Sequence, residues 1–231
     1  MLTYNEHLDE RIDALSSDNI NVLKGKAILE LETPVFGNIQ PQDLHIEPPP
    51  ANSDSQTITE LRYMGEYTNK PKTKKEIQFI TDTDMNLIKP FLDYAWNHMM
   101  MVNKDATKAL MQQSSKFERY FKHKFKRPRP QALSSLLEIN INTHPSKTTS
   151  TKTPAYPSGH ATQSMIAALA LSHEYPREQE GLIEVAMRIS NSRIHAGFHY
   201  PSDRDAGFEI AFQLYPHIQW DIFHLQKVQN I

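Results

Sequence analysis

The sequence predicts an all-α fold, a single-domain helical bundle. Three observations carry that expectation. From Thr83 onward apolar residues recur three and four apart, the period of a helix face. Alternating runs of strand length are scarce, and Pro or Gly punctuates the edges of the periodic stretches. At 231 residues the chain can bury one sizeable core. The expected division is an irregular, Pro-rich region over 1–75 that packs on a helical core over 76–231.

Leu8, Ile12 and Leu15 make a short amphipathic opening. Prolines then recur from Pro34 through Pro48-Pro49-Pro50 to Pro71, a density that predicts extended or polyproline-like chain. The polar run Asn52 to Thr59 has the composition of disordered chain. Leu87, Phe91, Tyr94, Ala95, Met99 and Val102 set the helical register, with Asp82 or Thr83 as cap and Pro90 as a kink or break. Phe117, Tyr120, Phe121 and Phe125 continue it, which puts Lys122 near a helix end before Pro128 and Pro130 stop it. Thr143 to Pro157 reads as a loop. Gly159 to Glu174 reads as a small-residue helix buried on most sides, and Gly181 to Ala196 as a helix broken near Gly197. Asp203 to Tyr215 and His217 to Val228 complete the set, and no internal repeat is visible.

Composition narrows function. A net charge of -2 does not suit a general polyanion binder. The absence of cysteine excludes disulfides and thiolate metal sites. The most apolar stretch, Met165 to Leu171, is far short of the roughly 20 residues that span a bilayer. The acidic, mixed first ten residues do not read as a signal peptide. A soluble protein without a membrane span is expected, cytoplasmic as the sequence stands and periplasmic or secreted if a leader was removed.

Three sets of residues carry chemistry. The first is Lys122-x6-Arg129-Pro130: fixed cations stabilise the charge on a phosphoryl group in transfer, arginine as a planar fork and lysine as a point charge. Within the basic run Lys116 to Arg129 the same residues also fit a solvated helix face or a nucleic-acid patch. The second is Pro157-Ser158-Gly159-His160 at a helix entry, where free N–H groups suit an anion and His160 could protonate a departing alkoxide. Alone, it is also an N-cap serine followed by a histidine. The third is Ser192-Arg193-x5-His199-x3-Asp203: Asp203 can reach His199 Nδ1, leaving Nε2 unprotonated for attack, and a structural His–Asp pair is the alternative.

All three sets, in this order, resemble the signature of the type 2 phosphatidic acid phosphatase and vanadium haloperoxidase superfamily. The chain looks most like the soluble bacterial class A non-specific acid phosphatases, on its length, Pro48-Pro49-Pro50 and the ending Ser202-Asp203-Arg204-Asp205-Ala206-Gly207. The resemblance implies an all-α, metal-independent phosphatase with its active site where helix ends meet. It implies His199 as the nucleophile that forms a phosphohistidine, Asp203 as its partner and His160 as the acid. Lys122, Arg129, Arg193, Ser158 and Gly159 would hold the phosphate. No cofactor or metal is expected, although vanadate could bind as a phosphate mimic. The expected partner is a small-molecule phosphate monoester rather than nucleic acid, and a homo-oligomer is allowed. Haloperoxidase chemistry and a non-catalytic phosphate or nucleic-acid binding protein are the competing readings. His195 is left between a substrate contact and a packed helix histidine.

Overall fold

The computed structural model describes residues 34–145 and 150–221. Among them every regular element is helical: α1 Ser55–Thr68, α2 Lys74–Met85, α3 Lys89–Asn97, α4 Lys104–Phe125, α5 Pro130–Leu136, α6 Gly159–Glu174, α7 Gln179–His195 and α8 Pro201–Leu214, with short 3-10 turns between. None is long and apolar enough to cross a membrane.

The centre of the bundle is α6, as its small residues require. Ala161, Ala167, Ala168, Ala170 and Leu171 are buried around it, and α4, α7 and α8 pack against its faces. Small side chains let neighbouring helices approach closely on several sides, which is why this helix has no polar face to show solvent. Phe36, Phe117 and Phe121 fill the space between α4 and the extended chain that precedes α1.

The predicted elements from Gly159 onward stand close to their expected limits. Pro201 opens α8 as its first residue, with Asp203 in the first turn. Gly197 ends the α7 segment at φ +79, and a Cβ there would lie 3.2 Å from the Thr143 backbone. The amphipathic opening at Leu8–Leu15 lies outside the described residues. So does most of the predicted final helix, whose first residue, His217, ends the 3-10 turn Tyr215–His217.

Two expectations need correction. The N-terminal region is not irregular throughout, because the polar run at 52–59 initiates α1. Asp54 accepts from the Gln56 amide, and the segment between Pro50 and Pro71 holds no proline to interrupt the helix that buries Leu61 and Met64. The stretch from Thr83 to Phe125 breaks near Pro90, one of the two outcomes expected there, and again before Lys104, so it holds the end of α2 and then α3 and α4. Thr73 and Glu76 form a capping box that starts α2 earlier, so Asp82 and Thr83 lie inside it, and Thr83 bonds back to the Phe79 carbonyl. Pro90 sits in the first turn of α3, where a missing N–H costs nothing.

Candidate active site

The loop from α7 to α8 delivers His199 and Asp203 to one buried point. His199 is 3% and Asp203 0% exposed. Asp203 Oδ2 lies 3.1 Å from His199 Nδ1 and accepts from the Tyr200 amide at 2.9 Å. The other oxygen, Oδ1, accepts from Arg127 Nη1 at 2.8 Å. Burial would raise the Asp203 carboxyl, but Arg127 and the His199 hydrogen bond prevail and hold it at about 2. The carboxylate therefore fixes the proton of His199 on Nδ1 and leaves Nε2 with its lone pair. Nε2 sits 3.0 Å from Arg129 Nη1. Burial, then the Arg129 cation, lowers His199 to about 3, so the ring is neutral across ordinary pH.

Three cations converge on this point from three different elements. Lys122, in the last turn of α4, donates to the Pro154 and Ala155 carbonyls at 2.7 and 3.2 Å. Its ammonium is brought down to about 7 by burial and the neighbouring Arg129. Arg129, which precedes α5, is tied through Nε to the Thr153 carbonyl and through Nη1 to the Phe198 carbonyl, both at 2.7 Å. Arg193, in the last turn of α7, donates to the Ile80 carbonyl at 3.1 Å and to Asp84 at 2.6 Å. Burial lowers both guanidinium groups to about 10, which still leaves them charged. Cations held at one buried point in this way would stabilise an anion placed between them.

The third wall is the N-terminus of α6. Ser158 caps it, its hydroxyl accepting from the Ala161 amide at 3.4 Å, while its own amide donates to the Asp203 carbonyl at 2.8 Å and joins α6 to α8. A Cβ on Gly159 would lie 2.5 Å from Glu118 Oε1, so only glycine admits a carboxylate this close to the helix end. The buried Glu118 thus lies where free N–H groups and the helix dipole favour negative charge. His160 Nε2 is 3.5 Å from Asp84 Oδ1. Burial and the charges of Arg193, His199, Arg129 and Lys122 push His160 well below the usual histidine range. A bound dianion would oppose those cations and so raise His160.

The structure accordingly gathers Lys122, Arg129, Ser158, Gly159, His160, Arg193, His199 and Asp203 around one centre. His195 is elsewhere: its ring stacks on Tyr67 at 4.6 Å and lines a separate cavity between α2 and α7. The basic run at 116–129 is no continuous surface stripe, because Lys122, Arg127 and Arg129 point inward while Lys124 and Lys126 are exposed.

Besides Glu118, three residues of the site are not singled out by the sequence. Arg127, 2% exposed, joins Asp203 to Glu60 of α1 at 3.1 Å and stacks over the Tyr200 ring at 3.8 Å. Glu60 also accepts from the Ser202 amide and hydroxyl, both at 2.8 Å, and so holds the first turn of α8. Asp84 of α2 serves Arg193 and His160 together. The signal for Arg127 was its place two residues before Arg129 in a run too aromatic to be wholly solvated. Glu60 and Asp84 carried none.

The chain is similar to known proteins. A family model described as the PAP2 superfamily matches residues 106–221. A non-specific acid phosphatase of Providencia stuartii is 31% identical over 90 residues, 39% of this chain and 35% of that protein. The chain thus spans about a third of that relative's length.

Proposed function

The chain belongs to the PAP2 superfamily, and on that premise we propose that it is a metal-independent acid phosphatase acting on phosphate monoesters through a phosphohistidine at His199. The observation that carries this reading is the Asp203–His199 pair, with Nε2 directed at Arg129 rather than at solvent.

In the first step His199 Nε2 forms a bond to phosphorus as the ester P–O bond breaks. The departing alkoxide takes the proton of His160. Asp203 stabilises the imidazolium character that develops, without itself taking the proton. Lys122, Arg129 and Arg193, with the α6 N-terminus, hold the three equatorial oxygens on which charge spreads. These cations supply the electrostatic stabilisation that a metal ion provides in other phosphatases. In the second step water attacks phosphorus, the P–N bond breaks, and neutral His160 accepts the water proton. His160 must hold a proton in the first step and His199 must not, a combination that favours mildly acidic pH.

The test is release of nitrophenol from nitrophenyl phosphate, with EDTA present, by the wild type and His199→Ala. Wild-type turnover should be indifferent to EDTA and the variant should lose it. Loss of wild-type activity in EDTA overturns the metal-free mechanism, and turnover by the variant removes His199 as nucleophile. The non-specific acid phosphatase relative supports a broad choice of leaving group.

A further inference from the structure

A cavity of about 580 Å³ lies between α2 and α7, and none of the phosphate-cluster residues lines it. Its volume is in the range of small-molecule sites, which run from about 300 to 1,000 Å³. One wall is aromatic. Tyr67 and His195 stack with planes 8° apart, and Lys70 sits over the Tyr67 ring.

The rim is cationic. Lys70, Lys72, Lys75 and Arg188 all face the cavity. Among the described residues none of the four has a carboxylate at ion-pair distance. Two carboxylates share the lining. Glu76 accepts from the Thr73 amide and hydroxyl at 2.7 Å, which hold it ionised, and it offsets one of the four charges. Glu184 is the other. Four cations against two carboxylates leave a concave, partly aromatic surface with a positive balance, which suits an organic anion.

The geometry points to this cavity as a second binding site, separate from the phosphate cluster, for a nucleotide-sized organic phosphate whose planar ring lies against the Tyr67–His195 wall. Lys72 and Lys75 meet the phosphate. The two sites share a partition: Ile80 lends its side chain to the cavity and its carbonyl to Arg193. The charge of Lys72 also reaches His195 in the cavity and His144, which in turn feels Arg193 and Asp84. The inference does not depend on the phosphatase reading, since hydrolysis and binding are measured apart.

The probe is the methylene phosphonate analogue of AMP, in which carbon replaces the bridging ester oxygen so that it cannot be hydrolysed. Calorimetric titration is run on the full chain with inorganic phosphate saturating the catalytic cluster. The analogue should still bind, and Lys72→Gln/Lys75→Gln should weaken it by about tenfold or more. Lys75 is exposed and Lys72 is half-buried, so these substitutions leave the core intact. The corresponding phosphonate of ribose 5-phosphate, lacking the ring, should bind about fivefold or more weakly. Loss of all binding once phosphate is saturating overturns the proposal, and so does phosphate-resistant binding that the double variant leaves unchanged. Equal affinity for the ring-free analogue refutes the aromatic wall as a ligand contact.

Discussion

Replacing Arg127 by methionine removes the cation that holds the far side of Asp203 while keeping a side chain of comparable length in the space over Tyr200. In the wild type Asp203 titrates at about 2 against an ordinary 3.8. Each unit is about 1.4 kcal/mol, so the depressed carboxyl is associated with about 2–3 kcal/mol of stability. The sign follows from the direction: this contribution is complete above the unfolded carboxyl range, near pH 4, and is lost as pH falls toward 2. Arg127 also holds Glu60, itself buried, at 3.1 Å. Removing one partner of buried ion pairs costs about 3–5 kcal/mol. In a chain of this size that is a fall in Tm on the order of 10 °C, read by calorimetry at pH 7. With Arg127 gone, burial acts on Asp203 with less opposition and its pKa rises. The acid limb of the kcat–pH profile should move up by about one unit or more, because a protonated Asp203 no longer fixes His199. Arg127→Lys should restore part of both. Adding Glu60→Gln to Arg127→Met should recover some Tm, since it removes one of the stranded charges. A Tm that falls while kcat and its pH profile stay fixed would refute a positioning role for Arg127. An unchanged Tm would refute the buried-charge reasoning itself.

Three further outcomes follow from the site. His160→Ala should lower kcat by about 100-fold or more for alkyl phosphates and much less for nitrophenyl phosphate, whose leaving group needs little protonation; equal losses on both would remove His160 as the acid. Phosphate binding at pH 8 should draw protons from the buffer, because the dianion raises both Lys122, at about 7 when the site is empty, and His160. Titrations in buffers of different ionisation enthalpy measure that uptake, and zero uptake would contradict the assignment. Gly159→Ala should destabilise the fold by about 1–3 kcal/mol and weaken phosphate binding, since its Cβ would lie 2.5 Å from Glu118 Oε1; chemical denaturation showing an unchanged midpoint would mean that Glu118 yields freely.

Much of the candidate site was legible because its members sit in short, ordered strings. Ser158-Gly159-His160 announces a helix entry by its own residue types, and α6 begins at Gly159 as expected. Pro201 and Asp203 announce α8 in the same way. The errors fell where composition was read in place of local chemistry. The polar run before α1 looked disordered, yet Asp54 is a cap and the next proline is Pro71. The Thr73–Glu76 capping box is legible in the sequence, although the apolar helical period stands out only from about Thr83.

The sequence by itself determined which groups make up the candidate site, their order along the chain, and the helix ends that carry most of them. The tertiary structure alone decided what surrounds them. Glu60 reaches Arg127 and Asp84 reaches Arg193 across gaps of 67 and 109 positions, and no periodicity links residues so far apart. Those partners set the protonation of Asp203 and the aim of Arg193, because in a buried site the energy of a charge depends on its spatial neighbours and not on its place in the chain. The same reason separates His195 from His199. Four residues apart in sequence, one lies on Tyr67 beside a cavity and the other at the centre of the phosphate cluster.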